Sequence, residues 1–293
     1  MIDMEKIFFS LPNNESLAKS LAAKANGKIG EAIIRRFPDG ETYVKVVTAV
    51  EKKKVVIVCT LDHPDEKLLP LLFLSKTVKE LGAVSVCLVA PYLAYMRQDK
   101  RFQPGEAITS TYFASLLSSF VDELITIDPH LHRRSSLSEI YSIPTTVVHA
   151  ADTISHWIKE TVENPVLIGP DSESEQWVSA IAAKAGAPYI ILAKTRKGDT
   201  EVEVSVPQVA AYSNHTPVLV DDIISTARTM IETIGHLQRS AMTPPVCIGV
   251  HGIFAGSAYA DLLSAGAQKV VTCNTILHET NGIEVSDLLY TQL

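Results

Sequence analysis

Short apolar runs alternate with amphipathic segments along nearly the whole chain, and this alternation limits the fold more than any other feature. The runs include Lys54–Thr60, Val84–Ala90 and Pro165–Gly169, and their apolar character is nearly continuous, as in parallel strands that are covered on both faces. Segments such as Leu68–Leu81 and Glu175–Ala185 carry apolar residues at helical spacing. Strands that alternate with helices predict an α/β fold with a mostly parallel sheet and helices on both of its faces.

The same plan of strands and helices occurs twice. A chain of 293 residues is long enough for two medium-sized domains, each with its own core. We therefore predict two tandem doubly wound domains of one ancestral type. The boundary is placed near Ala150, so that residues 1–150 form the first domain and residues 151–293 form the second.

Composition excludes several classes of protein. The net charge of −7 argues against a general nucleic-acid binder. No apolar stretch approaches the length of a membrane span, and Met1–Lys6 has mixed charge rather than the pattern of a signal peptide. Four cysteines lie inside apolar runs without Cys-x-x-Cys spacing, which indicates small core residues in a reducing compartment: Cys59, Cys87, Cys247 and Cys273. We expect a cytoplasmic protein that binds neither nucleic acid nor membranes.

The stretch Pro217–Met230 combines an apolar run with polar groups suited to a ligand. Asp221 and Asp222 follow the apolar run, and helical spacing begins at Met230. The turn between them carries three hydroxyls, those of Ser225, Thr226 and Thr229. Unpaired N–H groups at a helix amino end favour an anion, whereas paired carboxylates suit ribose hydroxyls or a metal ion. Ordinary helix capping explains the local pattern equally well.

Two further loops follow strands, at the edge where α/β sheets bind ligands. Residues 91–108 form a long loop with three basic side chains, and the polar cluster Arg97–Arg101 indicates nucleotide or phosphate contacts, although a plain solvated loop is the alternative. His130 and His132 follow another strand. Because no cysteine or second histidine pair is nearby, the pattern favours a hard metal held partly by phosphate oxygens over structural zinc.

Six motifs occur in an order that resembles the ribose-phosphate diphosphokinases, also called phosphoribosyl pyrophosphate synthetases. They are FPDGE (Phe37–Glu41), PYxxYxRQD (Pro91–Asp99), DPH (Asp128–His130), GPD (Gly169–Asp171), KxR (Lys194–Arg196) and DDIIST (Asp221–Thr226). The resemblance covers nearly the full chain and implies the type I phosphoribosyltransferase fold in both domains. The DPH motif and the compact length resemble the archaeal-type branch.

The resemblance implies transfer of the β,γ-diphosphate of ATP to ribose 5-phosphate, with Mg²⁺ held by His130 and Asp171. It implies that Lys194 and Arg196 are catalytic and lie on a mobile loop that closes over the reaction. Ribose 5-phosphate would be held by Asp221, Asp222, Ser225, Thr226 and Thr229. ATP would be held by Arg97, Gln98 and Asp99, and by Phe37, Asp39 and Glu41 of a neighbouring subunit. The enzyme would then be a homo-oligomer, either a dimer or a hexamer.

Glu173, Ala227 and Arg228 differ from the family pattern, because they occupy phosphate-binding turns where glycine is usual, and the segment after His130, Leu131–Arg134, differs from it as well. Glycine allows positive φ and close approach of the backbone to phosphate. We favour an active diphosphokinase because all the charged groups named above are present. One alternative is a non-catalytic homologue that binds nucleotide and regulates a true synthetase. A phosphoribosyltransferase that consumes the diphosphate is disfavoured, because such enzymes usually need one such domain and no RQD loop.

Overall fold

Parallel strands form the centre of each of two compact units in this computed structural model. The structure describes residues 4–131, 133–170, 174–192, 194–197, 201–204 and 211–293, and in 194–197 and 201–204 it describes the backbone alone. The first unit extends to His149 and also includes Ser286–Leu293, and the second unit is Ala150–Val285. The C-terminal segment therefore groups with the first unit, whereas the sequence analysis placed it in the second domain.

The first unit is built on a six-stranded parallel sheet of order β2-β1-β5-β6-β7-β8. The strands of this unit are β1 (Lys6–Ser10), β2 (Lys28–Ile29), β3 (Ala32–Arg36), β4 (Thr42–Val46), β5 (Lys54–Val58), β6 (Ser85–Ala90), β7 (Glu123–Ile127) and β8 (Thr145–Val148). Strands β3 and β4 form a separate antiparallel hairpin. The helices are α1 (Glu15–Lys24), α2 (Pro64–Glu80) and α3 (Thr109–Ser118), together with the C-terminal helix Ser286–Tyr290.

The second unit has a six-stranded parallel sheet of order β10-β9-β13-β14-β15-β16. Its strands are β9 (Pro165–Gly169), β10 (Tyr189–Ile191), β11 (Lys194–Lys197), β12 (Glu201–Val204), β13 (Thr216–Ile224), β14 (Val246–Gly252), β15 (Lys269–Cys273) and β16 (Asn281–Ile283). Its helices are α4 (Ala151–Thr161), α5 (Glu175–Ala185), α6 (Arg228–Arg239) and α7 (Ala258–Ser264), and the C-terminal helix of the first unit is α8.

The two sheets have the same connectivity, strand for strand. In each unit the first strand is flanked by the second and by the strand that follows a two-stranded hairpin, and the last three strands are added in sequence order. The predicted α/β fold with two doubly wound, mostly parallel units is confirmed. The continuous apolar runs of β5 and β6 are buried because helices cover both faces of a parallel sheet.

One predicted strand end is wrong. Strand β13 was expected to end at Val220, but it continues through both aspartates to Ile224. The alternating pattern of Glu201–Val206 predicted a hairpin arm after the polar segment Lys194–Thr200, and Glu201–Val204 does pair antiparallel, with Lys194–Lys197 as the other arm.

The four cysteines are buried, as predicted. Burial raises the pKa of Cys59 and of Cys247 to about 12 and also raises that of Cys87, so these thiols are unreactive at neutral pH. Among the described residues, no helix is long and apolar enough to span a membrane.

Candidate functional site

The paired carboxylates lie inside strand β13, near its carboxyl end. Asp221 is opposite Gly249 of β14, and Ile223 is opposite His251. The strand extends this far because Ile224 is buried and fills the space beside Gly249, where a Cβ atom would lie 2.7 Å from the Ile224 side chain. The Asp222 N–H donates to Asp221 Oδ1 at 3.0 Å, and both carboxylates are half-buried.

A tight turn connects β13 to helix α6. The carbonyl of Ile224 accepts hydrogen bonds from the N–H groups of Ile253 and Phe254, at 3.0 Å each, so the end of the strand is fixed by the neighbouring loop. Ala227 has a positive φ of 57°, a conformation that glycine adopts more easily. The helix begins at Arg228, and no acidic residue stands in its first turn.

This turn brings together the five residues predicted to bind ribose 5-phosphate, since Asp221, Asp222, Ser225, Thr226 and Thr229 all lie on the strand end, the turn or the first helical turn. The amino end of α6 offers N–H groups and a favourable dipole to an anion. Arg228 adds an exposed cation at the same place. The sequence left open whether Arg228 adds a phosphate contact or blocks the turn, and its exposed charge at the start of α6 makes it a candidate phosphate ligand.

Lys194 and Arg196 lie on one arm of the antiparallel hairpin β11–β12. Lys194 is opposite Val204, and Arg196 is opposite Val202. The corresponding hairpin of the first unit, β3–β4, carries the FPDGE turn. The FPDGE turn and the Lys194–Arg196 pair therefore lie on equivalent hairpins of the two units. The side chains of Lys194 and Arg196 are outside the described part of the chain.

The hairpin β3–β4 presents an aromatic side chain beside a cation. Phe37 is 39% exposed, and Arg35 lies over the Phe37 ring at 4.7 Å and over the Tyr43 ring at 4.3 Å. The Glu41 N–H donates to Asp39 Oδ1 at 3.2 Å, which stabilises the turn. Arg35 was not identified from the sequence. The hairpin register could have found it, because this register places Arg35 opposite Tyr43, and residues opposite each other on paired strands are neighbours.

Loop 91–108 is anchored more firmly than its polar sequence indicates. Met96 is fully buried, which a plain solvated loop would not require. The Asp65 carboxylate accepts a hydrogen bond from the Tyr95 hydroxyl and raises the pKa of Tyr95 to about 12. Gln98 Oε1 accepts a hydrogen bond from the Thr109 hydroxyl at 3.0 Å, while Arg97 is exposed.

Asp99 has a different environment from the two residues before it. Its carboxylate is buried and accepts a hydrogen bond from Arg133 Nη1 at 3.0 Å. Arg133 follows the DPH motif, so this contact joins two segments that were predicted separately. From the sequence, Arg133 was noted only as part of the segment Leu131–Arg134, which departs from the family pattern.

The DPH motif is at the carboxyl end of β7. Asp128 is buried, has a φ of 34° and accepts a hydrogen bond from His149 Nδ1 at 2.6 Å. His130 is half-buried. The other predicted metal ligand, Asp171, lies outside the described residues, as do His132 and Glu173. Within the described ranges, no three His, Cys, Asp or Glu side chains are grouped so that they could hold a metal ion by themselves.

Comparison with known proteins defines the class of this chain. The family described as the N-terminal domain of ribose phosphate pyrophosphokinase matches residues 6–120, and the phosphoribosyl transferase domain family matches residues 136–288. A crystal structure of phosphoribosylpyrophosphate synthetase from Mycobacterium smegmatis has the same fold, with a TM-score of 0.86 and 22% identity over 98% of this chain and 97% of that one. The fold is therefore that of a protein with two phosphoribosyltransferase-type domains.

Relatives at higher identity identify the family. The ribose-phosphate pyrophosphokinase of Methanobrevibacter smithii is 30% identical, with 93% of this chain and 95% of that protein covered. The ribose-phosphate pyrophosphokinase of Saccharolobus solfataricus is 31% identical, with 90% of this chain and 89% of that protein covered. The chain belongs to the ribose-phosphate pyrophosphokinase family. The predicted resemblance, including its archaeal character, is confirmed, and no comparison favours the regulatory alternative.

Proposed function

We propose that this protein transfers the β,γ-diphosphate of ATP to the anomeric hydroxyl of ribose 5-phosphate. The sugar's C1 oxygen forms a bond to the β-phosphorus, and the bond between that phosphorus and the oxygen bridging to the α-phosphorus breaks. The products are 5-phosphoribosyl diphosphate and AMP, and the proton of the hydroxyl is released. The observation that carries this proposal is the β13–α6 turn, where paired carboxylates and hydroxyls lie at the amino end of a helix within a phosphoribosyl transferase domain.

The sugar is bound by groups whose chemistry matches its two ends. Asp221 and Asp222 accept hydrogen bonds from ribose hydroxyls. Ser225, Thr226 and Thr229 donate to the 5-phosphate, together with backbone N–H groups at the start of α6. The strand end is fixed by hydrogen bonds from Ile253 and Phe254, so these groups are oriented before the sugar arrives.

The nucleotide is bound by residues of the first unit. Arg97 and Gln98 contact its phosphates or base, and Phe37 stacks on the base of ATP held by a neighbouring subunit, with Asp39 and Glu41 beside it. The exposed Phe37 ring supports this assignment, because an apolar face of that size at a hairpin tip suits a flat partner. The active form is accordingly a homo-oligomer, a dimer or a hexamer.

The donor groups fit Mg²⁺. One proposed ligand of the ion is His130, which is half-buried at the carboxyl end of β7. The other is Asp171, because carboxylate oxygens are the protein ligands that Mg²⁺ prefers. His130 and Asp171 would hold the ion together with phosphate oxygens and water, because Mg²⁺ usually keeps several waters and binds substrate phosphates. When bound, Mg²⁺ neutralises charge on the transferred diphosphate. Lys194 and Arg196 add two positive charges for the same group.

Product analysis tests this function. Purified protein is mixed with ATP, Mg²⁺ and ribose 5-phosphate, and the mixture is followed by mass spectrometry. We expect AMP and 5-phosphoribosyl diphosphate in equal amounts, and neither without the sugar phosphate. The absence of both products contradicts the proposal. Release of diphosphate that depends on an added base points instead to a phosphoribosyltransferase.

A further inference from the structure

The Asp99 carboxylate is held by a cation from a separate segment of the chain. Its side chain is only 2% exposed, and Arg133 Nη1 lies 3.0 Å from Oδ1 and 3.3 Å from Oδ2. Arg134 Nη2 lies 3.3 Å from the Asp99 carbonyl oxygen and 3.4 Å from the Thr111 hydroxyl. Two successive arginines therefore hold both the side chain and the backbone of one loop residue.

The outer part of loop 91–108 has its own hydrogen bonds and also contacts Arg133. Glu106 accepts hydrogen bonds from the N–H groups of Phe102 and Gln103, at 2.8 and 3.0 Å. The Phe102 ring is 54% exposed, and Arg133 lies over it at 5.3 Å. Arg133 thus contacts the loop twice, through the carboxylate and through the ring.

This environment argues against a direct contact between Asp99 and the phosphates of ATP. A buried carboxylate that is already hydrogen-bonded to a guanidinium has little surface left for a ligand, and its charge repels phosphate. Removing one partner of such a pair leaves an uncompensated buried charge. The loop must then move to expose that charge to water. The pair therefore fixes the backbone immediately after Arg97 and Gln98.

We propose that Arg133 is a positioning residue for the nucleotide, acting through the Asp99 carboxylate to hold Arg97 and Gln98 in place. This inference rests on the proposed function, and it assigns to Asp99 an anchoring role in place of the ATP contact that the sequence analysis expected. Arg133 itself does not touch ATP. Its guanidinium is suited to the task because one rigid, planar group contacts the Asp99 carboxylate and lies over the Phe102 ring, whereas a lysine ammonium is a compact charge on a flexible stem.

Steady-state kinetics of Arg133→Met and Arg133→Lys test the proposal. We expect KM for ATP to rise about tenfold or more in Arg133→Met and less in Arg133→Lys, while KM for ribose 5-phosphate stays within about twofold. The unchanged sugar KM shows that the variant is folded. Lys79→Met is the matched control, because it removes the cation of another ion pair in the same unit, with Asp122 at 2.6 Å. An unchanged KM for ATP in Arg133→Met overturns the proposal.

A double-mutant cycle separates anchoring from direct contact. If Asp99 acts only through Arg133, the variant carrying both Asp99→Asn and Arg133→Met is no worse than the more impaired single variant. If the two losses multiply, Asp99 contacts the nucleotide itself and the proposal is wrong.

Hydrogen exchange without substrates provides a test that does not depend on turnover. We expect the Phe102 and Gln103 amides to exchange at least tenfold faster in Arg133→Met than in the parent, and unchanged in Lys79→Met. Equal exchange in the parent and in Arg133→Met overturns the anchoring role. If the parent protein forms no AMP, calorimetric titration with ATP replaces the kinetic assay. Faster exchange together with weakened ATP binding then supports the anchor even though the proposed reaction has failed.

Discussion

Helix α6 carries an arginine at each end, and the two charges have opposite effects on the helix. Arg228 is its first residue, where a cation opposes the helix dipole, and Arg239 is its last, where a cation is favourable. Both are exposed. An unfavourable charge at the amino end is understandable if that end binds phosphate, because the gain in ligand binding offsets the cost to the helix.

Replacing Arg228 with glutamate should therefore stabilise the fold and weaken substrate binding. We expect the free energy of unfolding to rise by about 1 kcal/mol, because an anion replaces a cation at the positive end of the dipole. KM for ribose 5-phosphate should rise at least tenfold, because a carboxylate then faces the phosphate. Urea unfolding and steady-state kinetics provide the two measurements.

Arg239→Glu is the matched control at the other end of the helix. It should lower the free energy of unfolding by a similar amount and leave KM for ribose 5-phosphate unchanged. A lower KM in Arg228→Glu would mean that Arg228 obstructs the phosphate site instead of contributing to it.

At the scale of elements, the end of β13 depends on the absence of a side chain on its neighbour. A Cβ atom on Gly249 would lie 2.7 Å from Ile224 Cδ1 and Cγ1, and Ile224 is buried. Gly249→Ala should therefore displace Ile224 and the turn that follows it. We expect a loss of roughly 1–3 kcal/mol in stability and a clear rise in KM for ribose 5-phosphate.

Gly235→Ala is a control from the same unit, since Gly235 lies inside α6 and its Cβ would approach nothing closer than 3.5 Å. It should stabilise the protein by up to about 1 kcal/mol, because glycine is a poor helix former. If Gly249→Ala is tolerated as well as Gly235→Ala, then the close packing of β14 against Ile224 does not hold the phosphate turn.

The hairpin β11–β12 carries the two cations assigned to the transferred diphosphate. Lys194→Ala or Arg196→Ala should lower kcat by roughly a hundredfold or more, by analogy with the loss of one electrostatic donor, and should leave the free energy of unfolding nearly unchanged. For each variant, kcat and the free energy of unfolding are measured on the same preparation. A fall in stability with unchanged kcat would give these residues a structural role instead.

The sequence was informative for elements built from local patterns and less so for contacts between distant segments. Strand β9 was predicted with its observed bounds, Pro165–Gly169, because its apolar run is continuous and proline follows it. Strand β13 was predicted too short, because Asp221 and Asp222 are typical of a turn when the register with Gly249 is unknown. The pair between Asp99 and Arg133 was missed, because 34 residues separate the two partners.

At the scale of the whole molecule, the chain returns to its first unit at the C-terminus. Helix α8 packs against α1, Lys24 forms an ion pair with Asp287, and Leu289 is fully buried. Local patterns could not predict this arrangement, because nothing in residues 286–293 indicates which core receives them. Because the two units have the same strand order, the C-terminal helix could be expected on either core.

Leu289→Ala should consequently destabilise the first unit, by roughly 2–5 kcal/mol for a buried leucine. Hydrogen exchange resolved by segment is the measurement, with faster exchange expected in β1 and α1. Leu277→Ala, at a leucine that is 69% exposed, should have almost no effect. Faster exchange confined to residues 150–285 would place the C-terminal helix on the other core.

In the proposed reaction the sugar's own hydroxyl attacks the β-phosphorus of ATP. The most direct measurement uses ribose 5-phosphate labelled with oxygen-18 at C1, with unreacted sugar sampled to correct for exchange with water. Mass spectrometry should find the label in 5-phosphoribosyl diphosphate and none in AMP. Label in AMP would contradict the proposed reaction. Release of free diphosphate together with loss of the label from the sugar phosphate would also contradict it.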